Sequence, residues 1–577
     1  MPAIRQIEIR NFRGISNFVW SPSPGLNCLI GPGDSCKSTL LTAIDYAIGA
    51  RRNISFSDAD FYRTNVHTPI EISVSLGNLQ DELLNLDRYG VFHRGFDTQS
   101  SQLYDEPHVN LETVITLKLT VRSDLQPEWG LYSDRAAAEG SERSIPWAQR
   151  ELIAPTKLDA GSDRHLAWGA RSLLNKLSDD AIDISGTLAA VARQTRSVFD
   201  SQPIHEFNPV LARVKTIADQ QGVQIGQLKA LLDVNGVSLS NGAVSLHNFD
   251  NTPLRQLGTG STRLLVSGIQ REASNASIML IDEVEYGLEP FRITKLLNNL
   301  GAKSEIPQNQ VFITTHSPIV LRELQANQLW ILRKSSITPT ESTEVPPPPS
   351  HHSIYAASLI PGAQATIRSN AESFFANKIL VCEGKTEIGL CRGLDLFNME
   401  TENPTWLEKG VAFADGGGDP SLFARATAFK DLGYDTAIFK DSDKSAETIA
   451  YQQQAAELGI PIFEWGYNYS TESAIFAWCP DHAIPNLLEA AIERKGLESV
   501  QGSIQSASGN TFTYSQCLSS FSCNMRAVLG DVARKKEWFK DIEPMENIAR
   551  STIGPSWKDF STDFQQVLGS MCQWLES

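Results

Sequence analysis

Two sets of residues in this 577-residue chain have the types and spacing for phosphate chemistry. The first runs Gly31, Pro32, Gly33, Asp34, Ser35, Cys36, Lys37, Ser38, Thr39. It follows an apolar run at 26–30 and precedes apolar residues at helical spacing, Leu40, Leu41, Ile44, Ala47 and Ile48. Strand, glycine-rich loop and helix in that order make a phosphate cradle. Backbone N–H groups at the helix start point at phosphate oxygens, the lysine adds a point charge, and the Ser38 hydroxyl reaches Mg2+. The pattern G-x-x-x-x-G-K-[ST] has its second glycine where Cys36 stands. A Cβ there is expected to crowd the loop and slow turnover.

The second set is acidic. Glu383 and Glu387 flank Gly384, and Asp441 and Asp443 form an Asp-x-Asp. The first pair follows a loop and buried strand within 374–382, and the second a strand at 436–439. In an open α/β sheet, sites form at the C-terminal ends of strands. Alternate aspartates can surround one hard cation. Acids brought together without a cation would repel, so Mg2+ or Mn2+ is the expected partner.

Along the chain, alternation predicts strands at 4–9, 70–76 and 114–121, short strands are expected at 18–20 and in the mostly apolar run 26–30, and continuous apolar runs predict buried strands at 278–281 and 311–313. Asp282 and Glu283 follow the strand at 278–281. Asp282 is placed to hold Mg2+ and Glu283 to orient or deprotonate the attacking water. Residues 150–245 have helical spacing with few glycines and read as a helical insertion. Gly258, Thr259, Gly260 and Ser261 form a small-residue turn before an apolar helix, another anion-binding helix start. After a last strand at 330–332, residues 335–352 carry four consecutive prolines and read as an extended spacer.

The chain is 41% hydrophobic and 20% charged, as soluble globular domains are, and its length suits about three to four domains. A net charge of −17 argues against a uniformly basic nucleic-acid coat but leaves room for a local basic groove. None of the eight cysteines forms C-x-x-C or a zinc spacing. The N-terminus lacks the long apolar core of a signal peptide, and no window suits a membrane span. A cytoplasmic protein with no membrane partner is expected.

The opening "IEIRNFRGI", the P-loop, the small-residue turn, Asp282-Glu283 and Thr314-Thr315-His316-Ser317, in this order, resemble the SMC and ABC-like ATPases of DNA metabolism. That resemblance implies a signature loop at Gly258, Gly260 and Ser261 that completes the site of an opposite subunit. It makes His316 the switch histidine on the γ-phosphate and 287–290 the D-loop. It puts Arg10 and Arg13 near the nucleotide, although solvated strand-end charges explain them equally well, and it gives Asp58 or Asp60 the place of the missing glutamine loop. The pattern hhhhEGxxE…hhxxDxD resembles a Toprim domain. The two together resemble the OLD (overcoming lysogenisation defect) nucleases, a family that includes the nuclease subunit of Gabija defence.

The implied fold class is α/β: an ABC/SMC-like ATPase domain with a helical dimerisation insertion, then a Rossmann-like Toprim domain. The expected boundaries are 1–150 and 246–335 for the ATPase, 151–245 for the insertion, 336–370 for a Pro-rich linker and 371–577 for the Toprim half with a helical extension. The implied activity is ATP-regulated two-metal endonucleolytic cleavage of DNA, with Glu383 as ligand and general base. Glu387, Asp441, Asp443 and Glu472 are further ligands, and Lys540, or next Lys536, stabilises charge at the scissile phosphate. The implied cofactors are ATP and Mg2+ or Mn2+, with Ser38 and Asp282 holding the ATPase metal. The implied partners are a second copy of the chain, DNA, and a helicase or other defence protein. Alternatives are a Toprim ribonuclease cutting tRNA and a non-catalytic ATP-dependent sensor.

Overall fold

The computed structural model describes residues 2–50, 54–158, 246–249, 252–273, 277–334, 351–443, 448–519 and 521–577, with Leu166 and a few helical positions between 190 and 212. The predicted helical insertion and most of the Pro-rich spacer lie outside the described residues.

Among the described residues three sheets organise the fold. The first is antiparallel: β1 (Ala3–Phe12), β2 (Ile15–Trp20), β4 (Ile70–Gly77), β5 (His93–Asp97), β6 (Gln102–Tyr104), β7 (Glu112–Val121) and β8 (Pro127–Tyr132). The second has the order β13-β12-β3-β11-β10-β9 and contains β3 (Leu26–Ile30), β9 (Thr156–Leu158), β10 (Ile278–Ile281), β11 (Gln310–Thr314), β12 (Leu329–Lys334) and β13 (His352–Ala356). All its neighbours are parallel except β12 and β13. The third is a four-stranded parallel sheet in the order β15-β14-β16-β17: β14 (Lys378–Cys382), β15 (Val411–Asp415), β16 (Asp435–Lys440) and β17 (Ile462–Glu464).

Two boundaries need correction. Thr156–Leu158, placed in the insertion by sequence, pairs in parallel with β10 as an edge of the ATPase sheet. Three residues are too short a run for periodicity to reveal a strand. His352–Ala356, placed in the linker, returns as β13 to pair antiparallel with β12, so β12 is not the last strand of its sheet.

The continuous apolar runs have a structural reason. Side chains alternate across a strand, and a parallel strand covered on both faces needs apolar residues at every position. Cys28 and Ile30 face one core while Leu29 faces another, which holds the P-loop helix (Lys37–Ile48) and the antiparallel sheet. Ile379 and Val381 of β14 join the same core as Cys28, whereas Leu380 and Cys382 face a third core with the C-terminal helices. One core therefore continues from the ATPase sheet into the second parallel sheet. Behind β14, the helix Lys385–Glu400 packs on Ile542–Ile548 at two glycines. A Cβ on Gly389 would stand 2.5 Å from the Ile542 carbonyl oxygen, and one on Gly393 2.3 Å from that of Glu546.

We expect Gly393→Ala to cost about 1–3 kcal/mol by overpacking this contact, read as a shift in chemical-denaturation midpoint. His352 gives a pH signature. Both its ring nitrogens are buried without a hydrogen-bond partner, and burial, then the charge of Lys334, pushes its pKa down to about 4. The unfolded chain takes up this proton near pH 6.5, so the contribution to stability is present above that pH and is lost as pH falls toward 4. His352→Phe should flatten the acid limb of urea midpoints measured from pH 7 to 4.5.

Candidate functional site

The ATP site is built at the C-terminal edge of the ATPase sheet. Register aligns Ile281 with Ile313 and Thr314 with Leu29, so the loops after β3, β10 and β11 leave the sheet together. Ser38 Oγ donates to Asp282 Oδ1 at 2.9 Å. Thr314 Oγ1 donates to the same oxygen at 2.5 Å and accepts from the Glu283 N–H at 2.8 Å. The hydroxyl and carboxylate expected on Mg2+ are thus adjacent, and Glu283, with a positive φ of 46°, is turned out into solvent beside them.

Lys37 is folded back over its own loop. Its Nζ donates to the carbonyls of Gly31 (3.0 Å) and Pro32 (2.8 Å) and to Ser35 Oγ (3.2 Å). Burial lowers its pKa to about 8, partly opposed by Asp282 and Asp34. Cys36 has φ 68° and Asp34 φ 58°, the left-handed region that a glycine enters at no steric cost. The Cys36 side chain turns toward the β1–β2 hairpin: a Cβ on Gly14 would stand 2.5 Å from its Sγ. The expected crowding is therefore resolved as backbone strain together with a contact to the hairpin.

Other ATPase candidates fall as follows. Gly260 packs on the D-loop, where an added Cβ would meet the Gly287 carbonyl oxygen at 2.4 Å, and Ser261 Oγ accepts from Arg292 Nη1 at 2.8 Å. Gly258 is the exposed residue before that helix (Thr259–Ala273). Arg263, missed by sequence, donates to the Asp282 carbonyl at 2.7 Å and the Tyr286 carbonyl at 3.2 Å, joining the signature helix to the Asp-Glu strand end. The His316 N–H donates to Glu285 Oε1 at 2.6 Å, and burial followed by Lys37 lowers the imidazole pKa. Arg13 pairs with Asp60 at 2.9 Å and Arg10 with Glu8 at 2.5 Å, so both have protein partners. Gly33 lies in the loop and Thr39 in the first helical turn.

The acidic site sits at the C-terminal edge of the third sheet. Glu383 Oε2 accepts from the Asp441 N–H at 3.0 Å. Glu387 is buried at the third position of its helix and accepts from the Gly384 N–H at 2.9 Å. Thr471 Oγ1 lies 2.7 Å from Glu387 Oε1 and 3.0 Å from Asp441 Oδ1, and the Thr471 N–H donates to that aspartate oxygen at 2.9 Å. A hydroxyl owns one proton. The second contact is satisfied when a carboxyl is itself protonated, which the local pKa values favour. Burial raises Glu387 to about 7. Burial, then the charges of Glu387, Glu383 and Glu472, raises Asp441 well above the carboxylate range. Burial also raises Glu383 and Glu472.

The structure thus brings together Glu383, Glu387, Asp441 and Glu472. Asp443 stands at the rim, where Oδ2 accepts from Arg534 Nη1 at 2.9 Å. Arg534 was missed by sequence although it lies next to the lysines that were considered. Lys540 is exposed and pairs with Glu537 at 2.9 Å, reaching Glu472 only through its field, while Lys536 is exposed at the helix end. A cavity of about 520 Å3 opens beside Asp443, lined by Tyr469, Trp478, Arg526 and Arg534 among others. Among the described residues no three His, Cys, Asp or Glu side chains form a ready-made metal cluster. The carboxylates are instead turned onto N–H, hydroxyl and guanidinium donors. The donor set, all carboxylate oxygen, suits a hard divalent cation. Among the described residues no helix is long and apolar enough to cross a membrane.

Residues 26–322, 297 of the 577, match the family described as "AAA domain, putative AbiEii toxin, Type IV TA system". Among solved structures the chain is similar to "Crystal structure of the SmcHead bound to the C-winged helix domain of ScpA" at 15% identity, covering 61% of this chain and 97% of that one with a TM-score of 0.34. It is similar to the "Smc head domain with an extended coiled coil bound to the C-terminal domain of ScpA derived from Pyrococcus furiosus" at 13% identity, 62% and 98% coverage and a TM-score of 0.35. For the "recombination mediator protein RecF-ATPrS in RecFOR pathway" the identity is 11%, the coverage 57% and 96%, and the TM-score 0.30.

Because Cys36 holds a left-handed conformation, Cys36→Gly should raise the steady-state ATPase rate, and Glu283→Gln should lower it by at least about tenfold. A phosphate-release assay checks both.

Proposed function

The chain belongs to this AAA-domain, AbiEii-toxin family, and from that premise we propose that it is an ATP-regulated, divalent-metal-dependent endonuclease that cleaves or nicks DNA. Its ATP-binding ATPase domain is the controlling half. The half that cuts is a Toprim-like domain carrying Glu383, Glu387, Asp441, Asp443 and Glu472. The observation that carries the reading is the gathering of carboxylates at the C-terminal edge of a parallel sheet, where burial raises the pKa of Glu383, Glu387, Asp441 and Glu472 and neighbouring carboxylates raise the first three further. Such a cluster is costly to the fold without a cation or protons.

Glu383, Glu387, Asp441, Asp443 and Glu472 would hold the divalent cations, which supply charge stabilisation at the attacked phosphate and the leaving oxygen. Glu383, half-buried beside the Asp441 amide, can take a proton from water. Arg534 at the rim, and Lys540 through its field on Glu472, offer positive charge to the phosphate backbone. Thr471 fixes the spacing of Glu387 and Asp441. In the ATPase half, Ser38 and Asp282 would hold Mg2+, Lys37 would exchange its own loop carbonyls for the phosphates, Glu283 would orient water and His316 would face the γ-phosphate. The signature turn at Gly258, Gly260 and Ser261 supports a homodimer in which it faces the partner's nucleotide. A family named for a toxin suits an enzyme whose cutting must be held in check, and a role in defence against phage or foreign DNA follows from such control.

The test incubates the purified chain with plasmid and with tRNA, in Mg2+ or Mn2+, with and without ATP. Plasmid nicking is expected. Glu383→Ala should lower it at least about a hundredfold and leave ATP hydrolysis within twofold. Intact plasmid beside cut tRNA would overturn the DNA reading.

A further inference from the structure

The loop from β15 to the helix Ser421–Asp431 reads Asp415-Gly416-Gly417-Gly418-Asp419, and none of it has a part in the chemistry above. It is locked onto the strand that carries Glu383. The Gly416 N–H donates to the Cys382 carbonyl at 2.7 Å and the Gly418 N–H to the Glu383 carbonyl at 3.0 Å. A Cβ on Gly416 would stand 2.5 Å from the Cys382 oxygen, so only glycine permits this approach.

The loop delivers Asp419 to the acidic site. Both Asp419 carboxylate oxygens are buried, and among the described residues neither has a hydrogen-bond partner. Its charge acts on Glu383. The other buried carboxylates show how this fold treats an acid it uses only for structure: Asp395 takes N–H groups from Trp406 at 2.6 Å and Leu407 at 3.2 Å. Glu383, Glu387 and Asp441 likewise have donors. A carboxylate buried with neither donor nor counter-charge is strongly unfavourable. Asp419 is therefore a group whose partner is a cation supplied from outside the chain.

We propose that Asp419 is a direct ligand of the divalent cation at Glu383. It reaches the site from the β15 side of β14, across from Asp441 and Asp443, which arrive on the β16 side. The inference rests on reading the acidic edge as a cation site. The donor it adds is one more hard oxygen, which Mg2+ and Mn2+ both accept.

Mn2+ is titrated calorimetrically into the full chain, nucleotide-free, in an Asp282→Asn background that removes the ATPase cation. Asp419→Asn, Asp419→Ser and Asp441→Asn are added in turn, and thermal melting is followed without and with Mn2+. Both Asp419 variants should weaken Mn2+ binding at least about tenfold. Their metal-free Tm should equal or exceed that of the parent, because an uncompensated buried charge has gone, while the Mn2+-induced gain in Tm shrinks. Parent-like Mn2+ affinity in both variants, or a lower metal-free Tm with that affinity kept, overturns the ligand role while the cation site stands. Equal Mn2+ binding by the parent and by Asp441→Asn overturns the reading of the acidic edge itself, and the Asp419 proposal with it.

Discussion

One guanidinium joins the two halves of this protein. Arg333, near the end of β12 in the ATPase sheet, donates to the carbonyls of Ala376 (3.0 Å), Asn377 (2.8 Å) and Gly433 (3.3 Å) and lies 4.3 Å from the Tyr434 ring centroid. Those carbonyls lie at the entrances to β14 and β16, the strands that carry Glu383 and Asp441. Arginine suits this position because it offers five donors in a rigid plane and keeps its charge when buried. Burial lowers its pKa, yet the guanidinium remains a cation at any physiological pH. Around this knot one apolar core runs from Cys28 and Ile313 to Ile379 and Ile438 without a break.

That joint places the two chemistries in mechanical contact. The His316 ring lies 6.1 Å from that of Phe375, in the 3-10 turn Ala371–Phe375 that leads into β14. Arg322, on the short helix after His316, pairs with Glu372 of the same turn at 2.5 Å. The neighbouring Phe374 is buried against Phe429 and Tyr434. Close-packed interiors transmit displacement because they have little free volume to absorb it. A displacement of His316 would thus reach, through Phe375, the foot of the strand whose other end is Glu383.

The two sites handle buried charge in opposite ways. At the P-loop a cation is desolvated and borrows carbonyls from its own loop. At the acidic edge several anions are desolvated and borrow amides, the Thr471 hydroxyl and the Arg534 guanidinium. Each arrangement is a holding state, complete enough for folding and displaceable by the ligand of opposite charge. Thr471 is the clearest case, since its one hydroxyl lies within hydrogen-bond reach of both Glu387 and Asp441.

The sequence by itself determined the candidate site residues and the strands that carry them. Phosphate and metal chemistry need fixed residue types at short spacings, and buried parallel strands need unbroken apolar runs. The P-loop, Asp282-Glu283, Glu383, Glu387 and Asp441-x-Asp443 were legible for these reasons, as were β3 and β10 to the residue. What only the tertiary structure decided lies at long sequence separation. β9 is too short to show a period, and β13 is recognised only by the partner it returns to. Arg263 and Arg534 are ordinary helix residues until folding brings them to Asp282 and Asp443. Asp419 closes an unremarkable Gly-rich turn whose loop docks on Glu383, and Cys36 could be seen as a departure from a motif but not as a side chain resting on Gly14. Local pattern records backbone period and the residues chemistry cannot replace. Which charges meet, and which are left without a partner, is set by packing across hundreds of residues.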